Sequence, residues 1–152
     1  MYKHKGILSI DFDNTLAIVE NFPHINGLRP GAKKYVNKLY DEGYYIQIWT
    51  CRTDKKGECN DMTKAKEFLT QEGVKFHKIN ENHPALTEAF KSDSRKLSAD
   101  LYIDDKGLWP LGIPSWFTLY WLIKIRLFWD DKRALDYCKE EHFKVSPQTC
   151  KY

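Results

Sequence analysis

Two aspartates separated by one residue close an apolar run near the start of the chain. Ile7, Leu8 and Ile10 suit a buried strand, and Asp11 and Asp13 follow at its end. Carboxylates this close repel each other, and burying them requires a compensating proton or cation. A solvated turn is the alternative for the pair taken alone. The pair otherwise predicts a site that binds a cation.

Two more predicted strands end in polar residues that can do chemistry. Thr50 follows the aromatic and β-branched run 44–49, and Asp104 and Asp105 follow the run 99–103. In an alternating α/β chain the carboxyl ends of parallel strands share one edge of the sheet, where ligands bind. We expect these groups to converge with the first aspartate pair.

Convergent carboxylates with only oxygen ligands nearby suit Mg²⁺, a hard cation that a substrate phosphate often helps to bind. The candidate ligands are Asp11, Asp13, Asp104 and Asp105. Beside the ion, Asp11 could stay ionised and attack phosphorus, which would give an aspartyl-phosphate. A carboxylate two residues on could protonate the leaving oxygen and then activate water.

Strands and helices alternate along the chain in the order that would position these residues. The predicted strands are 6–11, 44–50, 74–79 and 99–105. The predicted helices are 30–42, 62–72 (capped by Asp61), 116–128 and 131–141. The segment 18–29 is expected to be a loop or small hairpin, here called the flap, and 80–97 is expected to be irregular. The pattern predicts a three-layer, Rossmann-like α/β fold with a mostly parallel sheet and helices on both faces.

The composition bounds the class of protein. The 152 residues, 42% hydrophobic and 30% charged, suit one soluble domain. A net charge of +3 without a basic block argues against nucleic acid, and the apolar segment 116–129 is shorter than the roughly 20 residues of a membrane span. The four cysteines, 51, 59, 138 and 150, lack zinc-site spacing, and no signal peptide precedes the first strand. We expect free thiols and a cytoplasmic protein.

Four motifs in order over residues 6–106 resemble those of the haloacid dehalogenase (HAD) superfamily of phosphohydrolases. Residues 11–15 match its DxDx[TV] motif, and Thr50 matches the Thr or Ser that ends the next core strand. Lys96 matches the Lys before the last strand, and residues 104–105 match the acidic pair after it. The stretch 94–114 also resembles small uncharacterised bacterial HAD-like hydrolases.

The resemblance implies a role for each carboxylate. Asp11 would be the nucleophile and a Mg²⁺ ligand. Asp13 would be the general acid and base, with its backbone carbonyl on the metal. Asp104 or Asp105 would complete the metal shell, and which of them contacts the ion stays open.

The same resemblance assigns the substrate phosphate to Thr50 and Lys96, and Cys51, next to Thr50, is a further candidate for the phosphate. Each has a plainer alternative: Thr50 as a strand-end cap, Cys51 as a small core filler and Lys96 as a surface residue. Arg52 could contact substrate, although a surface role is at least as plausible from the sequence. The aromatic helix 116–128 is expected to face the core, with any exposed part available for contact between copies of the chain.

The spacing of the motifs leaves no room for the cap domain that larger HAD enzymes insert. We expect a single capless domain over 1–152, with a core over 6–128 and a helical extension over 129–152. The implied function is Mg²⁺-dependent hydrolysis of a phosphomonoester, with a phosphorylated metabolite or larger molecule as substrate and a homo-oligomer as a possible assembly. Two alternatives stay open: a 5′-nucleotidase acting on (deoxy)nucleotides, and a HAD-like protein that binds a phosphorylated ligand with little turnover.

Overall fold

A four-stranded parallel sheet forms the centre of the fold. The structure is a computed structural model that describes residues 4–140, with side chains as far as Phe128. The strands are β1 Ile7–Asp11, β2 Tyr45–Trp49, β3 Asp54–Lys55, β4 Cys59–Asn60, β5 Lys78–Ile79 and β6 Leu101–Ile103. The helices are α1 Ala32–Asp41, α2 Asp61–Gln71, α3 Pro84–Phe90 and α4 Trp116–Glu140.

The strand order in the central sheet is β5-β2-β1-β6, and every pairing is parallel. β1 is buried between two neighbours, with Asp11 paired to Trp49 and Ile10 paired to Ile103. No additional domain interrupts these elements within residues 4–140. The predicted parallel α/β fold without a cap domain is therefore confirmed.

Helices and loops cover both faces of the sheet. On one face, the Phe12 ring meets Phe68 of α2 at 6.2 Å, and Tyr35 of α1 meets Tyr120 of α4 at 5.5 Å. On the other face, the Gln47 amide donates to the Ser98 carbonyl at 2.9 Å. Successive strand residues point to opposite faces, so the sheet separates an apolar layer from a more polar one.

The chain divides into two units, Met1–Tyr120 and Trp121–Tyr152. The prediction of one domain over 1–152 stays a prediction. No helix within the described residues is long and apolar enough to span a membrane.

α4 has both buried and exposed apolar side chains, as expected for the aromatic segment. In the first unit, Trp116 is buried and Phe117 is 58% exposed. In the second unit, Ile123 is buried, whereas four apolar side chains are exposed: Trp121, Leu122, Ile125 and Phe128. Whether this surface contacts another copy of the chain stays a prediction.

Two segments predicted to lack regular structure contain short elements. α3 lies within 80–97, where the His83 imidazole accepts from the Ala85 amide at 3.1 Å and Pro84 begins the helix. No residue of α3 is buried, so no apolar periodicity marked it. β3 and β4 pair as an antiparallel hairpin inside the polar loop after β2.

Several predicted boundaries are wrong, including that of the fourth strand, which runs over 101–103 and not over 99–105. The third strand is limited to β5, because the Lys75 amide donates to the Asn37 side chain at 2.7 Å instead of to a strand. Asp61 is the first residue of α2, and Asn60 precedes it as the N-cap. α4 continues through the expected break near 130, since neither Gly nor Pro interrupts it. Residue 141 and the tail from Lys144 lie outside the described residues.

The flap is a small hairpin, which confirms the second of the two forms expected for it. The Ile18 amide donates to the Gly27 carbonyl, and the Asn26 amide donates back to Ile18, each at 2.8 Å. At its base, the Arg29 guanidinium donates to the Thr15 and Pro114 carbonyls at 3.3 and 3.1 Å. These bonds tie the flap to the loops that follow β1 and β6.

Asn80 holds Thr50 in place just beyond the end of β2. Its amide nitrogen donates to the Thr50 carbonyl, and its amide oxygen accepts from the Thr50 amide, both at 2.9 Å. Asn80 has φ of 53°, in the left-handed region that Asn tolerates better than most residues. The Asn80 side chain thereby satisfies both backbone groups of Thr50, as a neighbouring strand would.

We expect Asn80→Ala to lower the free energy of unfolding by about 2–3 kcal/mol, because it removes two partly buried hydrogen bonds and puts alanine in a left-handed conformation that it tolerates less well than asparagine. Asn80→Gly loses the same bonds without that strain, so it should be less destabilising by about 1 kcal/mol. Urea denaturation of both variants measures the difference. An alanine variant at least as stable as the glycine variant would contradict this account.

Candidate functional site

Three aspartates that are distant in sequence meet at the carboxyl edge of the sheet. Asp11, Asp104 and Asp105 each place a carboxylate oxygen within 4.8 Å of the others, and all three are partly buried. They meet because β1 and β6 are neighbours and both end here. The predicted convergence of the two acidic pairs is thereby confirmed for these three side chains.

Short hydrogen bonds fix the loop that carries the second acidic pair. The Asp105 amide donates to the Thr15 hydroxyl at 2.8 Å. The Asp104 carbonyl accepts from the Trp109 indole, and its carboxylate accepts from the Lys106 amide, both at 2.8 Å. Thr15 therefore connects the loop after β1 to the loop after β6.

The Asp11 carboxyl has a pKa raised from 3.8 to about 7. Burial is the main cause, followed by the negative charge of Asp104, with smaller contributions from Asp13 and Asp105. A hydrogen bond from Thr15 opposes the rise. A divalent cation would offset this charge, and carboxylate oxygens are among the hard oxygen donors that Mg²⁺ prefers. The three side chains therefore fit the predicted ion.

Asp11 should destabilise the metal-free protein above neutral pH. Because its folded pKa is raised, the folded state holds a proton that the unfolded state loses, and stability falls as pH rises from about 4 to 7. Asp11→Asn removes this penalty, so with chelator it should be more stable than wild type by at most about 4 kcal/mol at pH 8. The difference should nearly vanish at pH 4. Denaturant unfolding at both pH values measures it, and a difference independent of pH would refute the explanation.

Mg²⁺ binding should depend on the triad. We expect Asp104→Asn to weaken Mg²⁺ affinity at least about tenfold, because one of three carboxylates is lost. Isothermal titration calorimetry gives the affinity. Asp41→Asn is the matched control, since Asp41 is 57% exposed and pairs with Lys75 away from the triad. Equal affinities for the two variants would show that the ion does not bind here.

The Asp13 carboxylate is bound by Arg52 rather than grouped with the triad. Nη2 of Arg52 lies 2.7 Å from Oδ1, and Nε lies 3.0 Å from Oδ1 and 3.2 Å from Oδ2. The Thr50 hydroxyl donates to Oδ2 at 3.3 Å. A role for the Asp13 backbone carbonyl on the metal stays a prediction, as does its role as acid and base.

Arg52 is buried, so the expectation of a surface role for it is wrong. Its side chain is fully buried, with the Phe12 and Phe22 ring centroids 5.1 and 4.9 Å from the guanidinium carbon. Nη1 donates to the Pro23 carbonyl at 2.9 Å. The one signal in the sequence was its position two residues after Thr50, which does not reveal the partners.

Thr50 lies just beyond the end of β2, as predicted. Its hydroxyl donates to Asp13 and accepts from the backbone amide of Arg52 at 3.1 Å. Cys51 is exposed, so it does not fill the core. Its predicted contact with phosphate stays a prediction.

Lys96, the lysine expected to bind the phosphate, and Lys106 differ in position. Lys96 lies over the Tyr102 ring, 5.2 Å from its centroid. Among the described residues, no ion pair joins Lys96 to the triad, whereas Nζ of Lys106 lies 3.1 Å from Asp105. The hydrogen bond with Asp105 is the main cause of a raised pKa for Lys106. Lys106 therefore lies closer to the acidic site than the lysine singled out by its motif.

The fold and the triad define an α/β protein with a candidate metal site at the ends of its central strands. Among solved structures, the chain is similar to a conserved protein from Bacteroides thetaiotaomicron, with 30% sequence identity and a TM-score of 0.66. The match covers 80% of this chain and 91% of that chain. The chain therefore belongs to the family of this conserved protein, whose description names no activity. No protein-family model matches the sequence, and no curated protein matches it significantly.

Proposed function

We propose that the protein is a Mg²⁺-dependent phosphatase of the HAD type, which hydrolyses a phosphomonoester through an aspartyl-phosphate on Asp11. The observation that carries the proposal is the convergence of Asp11, Asp104 and Asp105, with Asp13 and Thr50 following the same sheet edge. The arrangement supplies a nucleophile, metal ligands and a second carboxylate within one small region. This combination suits phosphoryl transfer better than ligand binding alone.

Asp11, Asp104 and Asp105 would hold the ion. When bound, Mg²⁺ would neutralise charge on the phosphate and keep Asp11 ionised at neutral pH. Burial and the charge of Asp104 raise the pKa of Asp11, and a bound cation would oppose both effects.

Two displacements at phosphorus complete the reaction. An Asp11 oxygen bonds to phosphorus as the bond to the substrate oxygen breaks, and Asp13 gives that oxygen its proton. Water then attacks the phosphorus and passes a proton to Asp13, while the Asp11–phosphorus bond breaks and phosphate leaves. Thr50 would donate its hydroxyl to a phosphate oxygen, and Lys106 or Lys96 would add positive charge.

A nucleotide substrate is a second form of the proposal, and one surface favours it. The Trp49 and Tyr102 rings lie 5.8 Å apart. The strand register places Trp49 on the same sheet face as Asp11. Tyr102 is 39% exposed, so an aromatic base could stack on this pair while its phosphate reaches the triad.

Wild-type protein with Mg²⁺ should hydrolyse p-nitrophenyl phosphate, and chelator should abolish turnover. We expect Asp11→Asn to lower kcat at least about a thousandfold, because an amide cannot attack phosphorus in place of the carboxylate. Asp41→Asn, a change of the same type on the exposed surface, should leave kcat unchanged.

A panel of phosphorylated metabolites decides between the alternatives. Preferred turnover of 5′-nucleotides would support the stacking surface. If no compound is turned over although Mg²⁺ binds, the protein is a binding protein and the phosphatase proposal fails.

A further inference from the structure

The two oxygens of the Asp13 carboxylate are held unequally. Oδ1 accepts two bonds from Arg52, at 2.7 and 3.0 Å. Oδ2 accepts two longer ones, at 3.2 Å from Arg52 and 3.3 Å from the Thr50 hydroxyl. Each carboxylate oxygen has about two lone-pair directions, so both are occupied as they stand. Oδ2 is the oxygen with the weaker partners, and it is the one more easily released.

Thr50 can release Oδ2 because its hydroxyl carries one hydrogen. A hydroxyl that donates to an incoming phosphate oxygen can no longer donate to Asp13. The contacts of Arg52 with Oδ1 need not change in this exchange. Phosphate at Thr50 would therefore free a lone-pair direction on Oδ2 while Oδ1 stays fixed.

Arg52 is itself held from three sides. Phe12 lies against one side of its guanidinium, Phe22 of the flap lies against it as well, and the Pro23 carbonyl accepts from Nη1 at 2.9 Å. All three guanidinium nitrogens thus donate hydrogen bonds, which uses the fork geometry that a lysine lacks. Phe22 is 64% exposed, so the flap supplies an outer cover for a buried cation.

We propose that Arg52 is a positioning residue for Asp13, and that the flap keeps Arg52 in position. Arg52 fixes Oδ1, so Oδ2 is the oxygen that carries the proton given to the leaving oxygen. As a carboxylate oxygen, Oδ2 then takes a proton back from the attacking water, which restores Asp13 for the next turnover. The proposal rests on the proposed phosphatase function. It adds a residue outside the metal and phosphate contacts on which proton transfer depends.

The choice of leaving group distinguishes a misaligned Asp13 from a general loss of activity. Nitrophenolate is a stable anion that departs without a proton, whereas an alkyl alcohol must receive one as its bond to phosphorus breaks. The value of kcat/KM reports the first phosphoryl transfer, so it isolates this proton from the later hydrolysis. A misaligned Asp13 should therefore lower kcat/KM strongly for an alkyl phosphate and only slightly for p-nitrophenyl phosphate.

We expect Arg52→Lys to lower kcat/KM about a hundredfold for an alkyl phosphomonoester and only severalfold for p-nitrophenyl phosphate, since lysine keeps the charge but not the fork. In an Asp13→Asn background, the same change should have no further effect on the ratio of the two substrates. Mg²⁺ affinity, measured by calorimetry, should stay within about twofold of wild type because the triad is intact.

Phe22→Ala tests the flap without removing the buried cation. It should lower the alkyl-to-nitrophenyl ratio in the same direction as Arg52→Lys, by about three- to tenfold, since one aromatic contact of Arg52 is lost. Phe90→Ala is the matched control, because Phe90 is also exposed, at 68%, and lies at the end of α3. Thermal unfolding followed by circular dichroism checks that each variant is folded.

The outcomes separate the two proposals. Equal losses for both substrates in folded Arg52→Lys would show a merely structural role and overturn the positioning of Asp13. If Phe22→Ala and Phe90→Ala have the same alkyl-to-nitrophenyl ratio of kcat/KM, the flap does not keep Arg52 in position. Wild-type protein that hydrolyses neither substrate, with Mg²⁺ bound, overturns the phosphatase function itself.

Discussion

The repulsion among carboxylates at the end of β1 is the constraint on which the site depends. Burial and the charge of Asp104 raise the pKa of Asp11 to about 7, so the protein either keeps a proton there or binds a cation. Parallel pairing of β1 with β6 imposes this arrangement, since both strands end at the same edge. A buried strand thus ends in a carboxyl group that is costly to ionise.

The carboxylates at this edge of the sheet differ in which positive group lies beside them. Asp13 receives the buried Arg52, and Asp105 pairs with Lys106, whereas Asp11 has a hydrogen bond from Thr15 but no cation of its own among the described residues. Charge is therefore neutralised around Asp11 but not on it. This leaves Asp11 as the position where a metal ion gains most, which supports the proposed phosphatase.

The sequence predicted most of the fold and three members of the acidic cluster. Apolar runs followed by polar residues marked β1, β2 and β6, because buried parallel strands need continuous apolar side chains. The sequence did not predict α3, because none of its residues is buried. The third strand was predicted too long, because Lys75 bonds to a side chain instead of a strand. Short elements held by a few specific hydrogen bonds leave no periodic signal in the sequence.

The sequence by itself determined which residue types could do chemistry and that parallel strands would bring Asp11, Asp104 and Asp105 together. That inference needs only the parallel direction of the strands, which the alternation of strands and helices along the chain indicates. Only the tertiary structure decided that Arg52 is buried against Asp13, and that Lys106 rather than Lys96 lies beside the triad. Both facts depend on where long side chains end, several bonds from a backbone whose course the sequence pattern can predict.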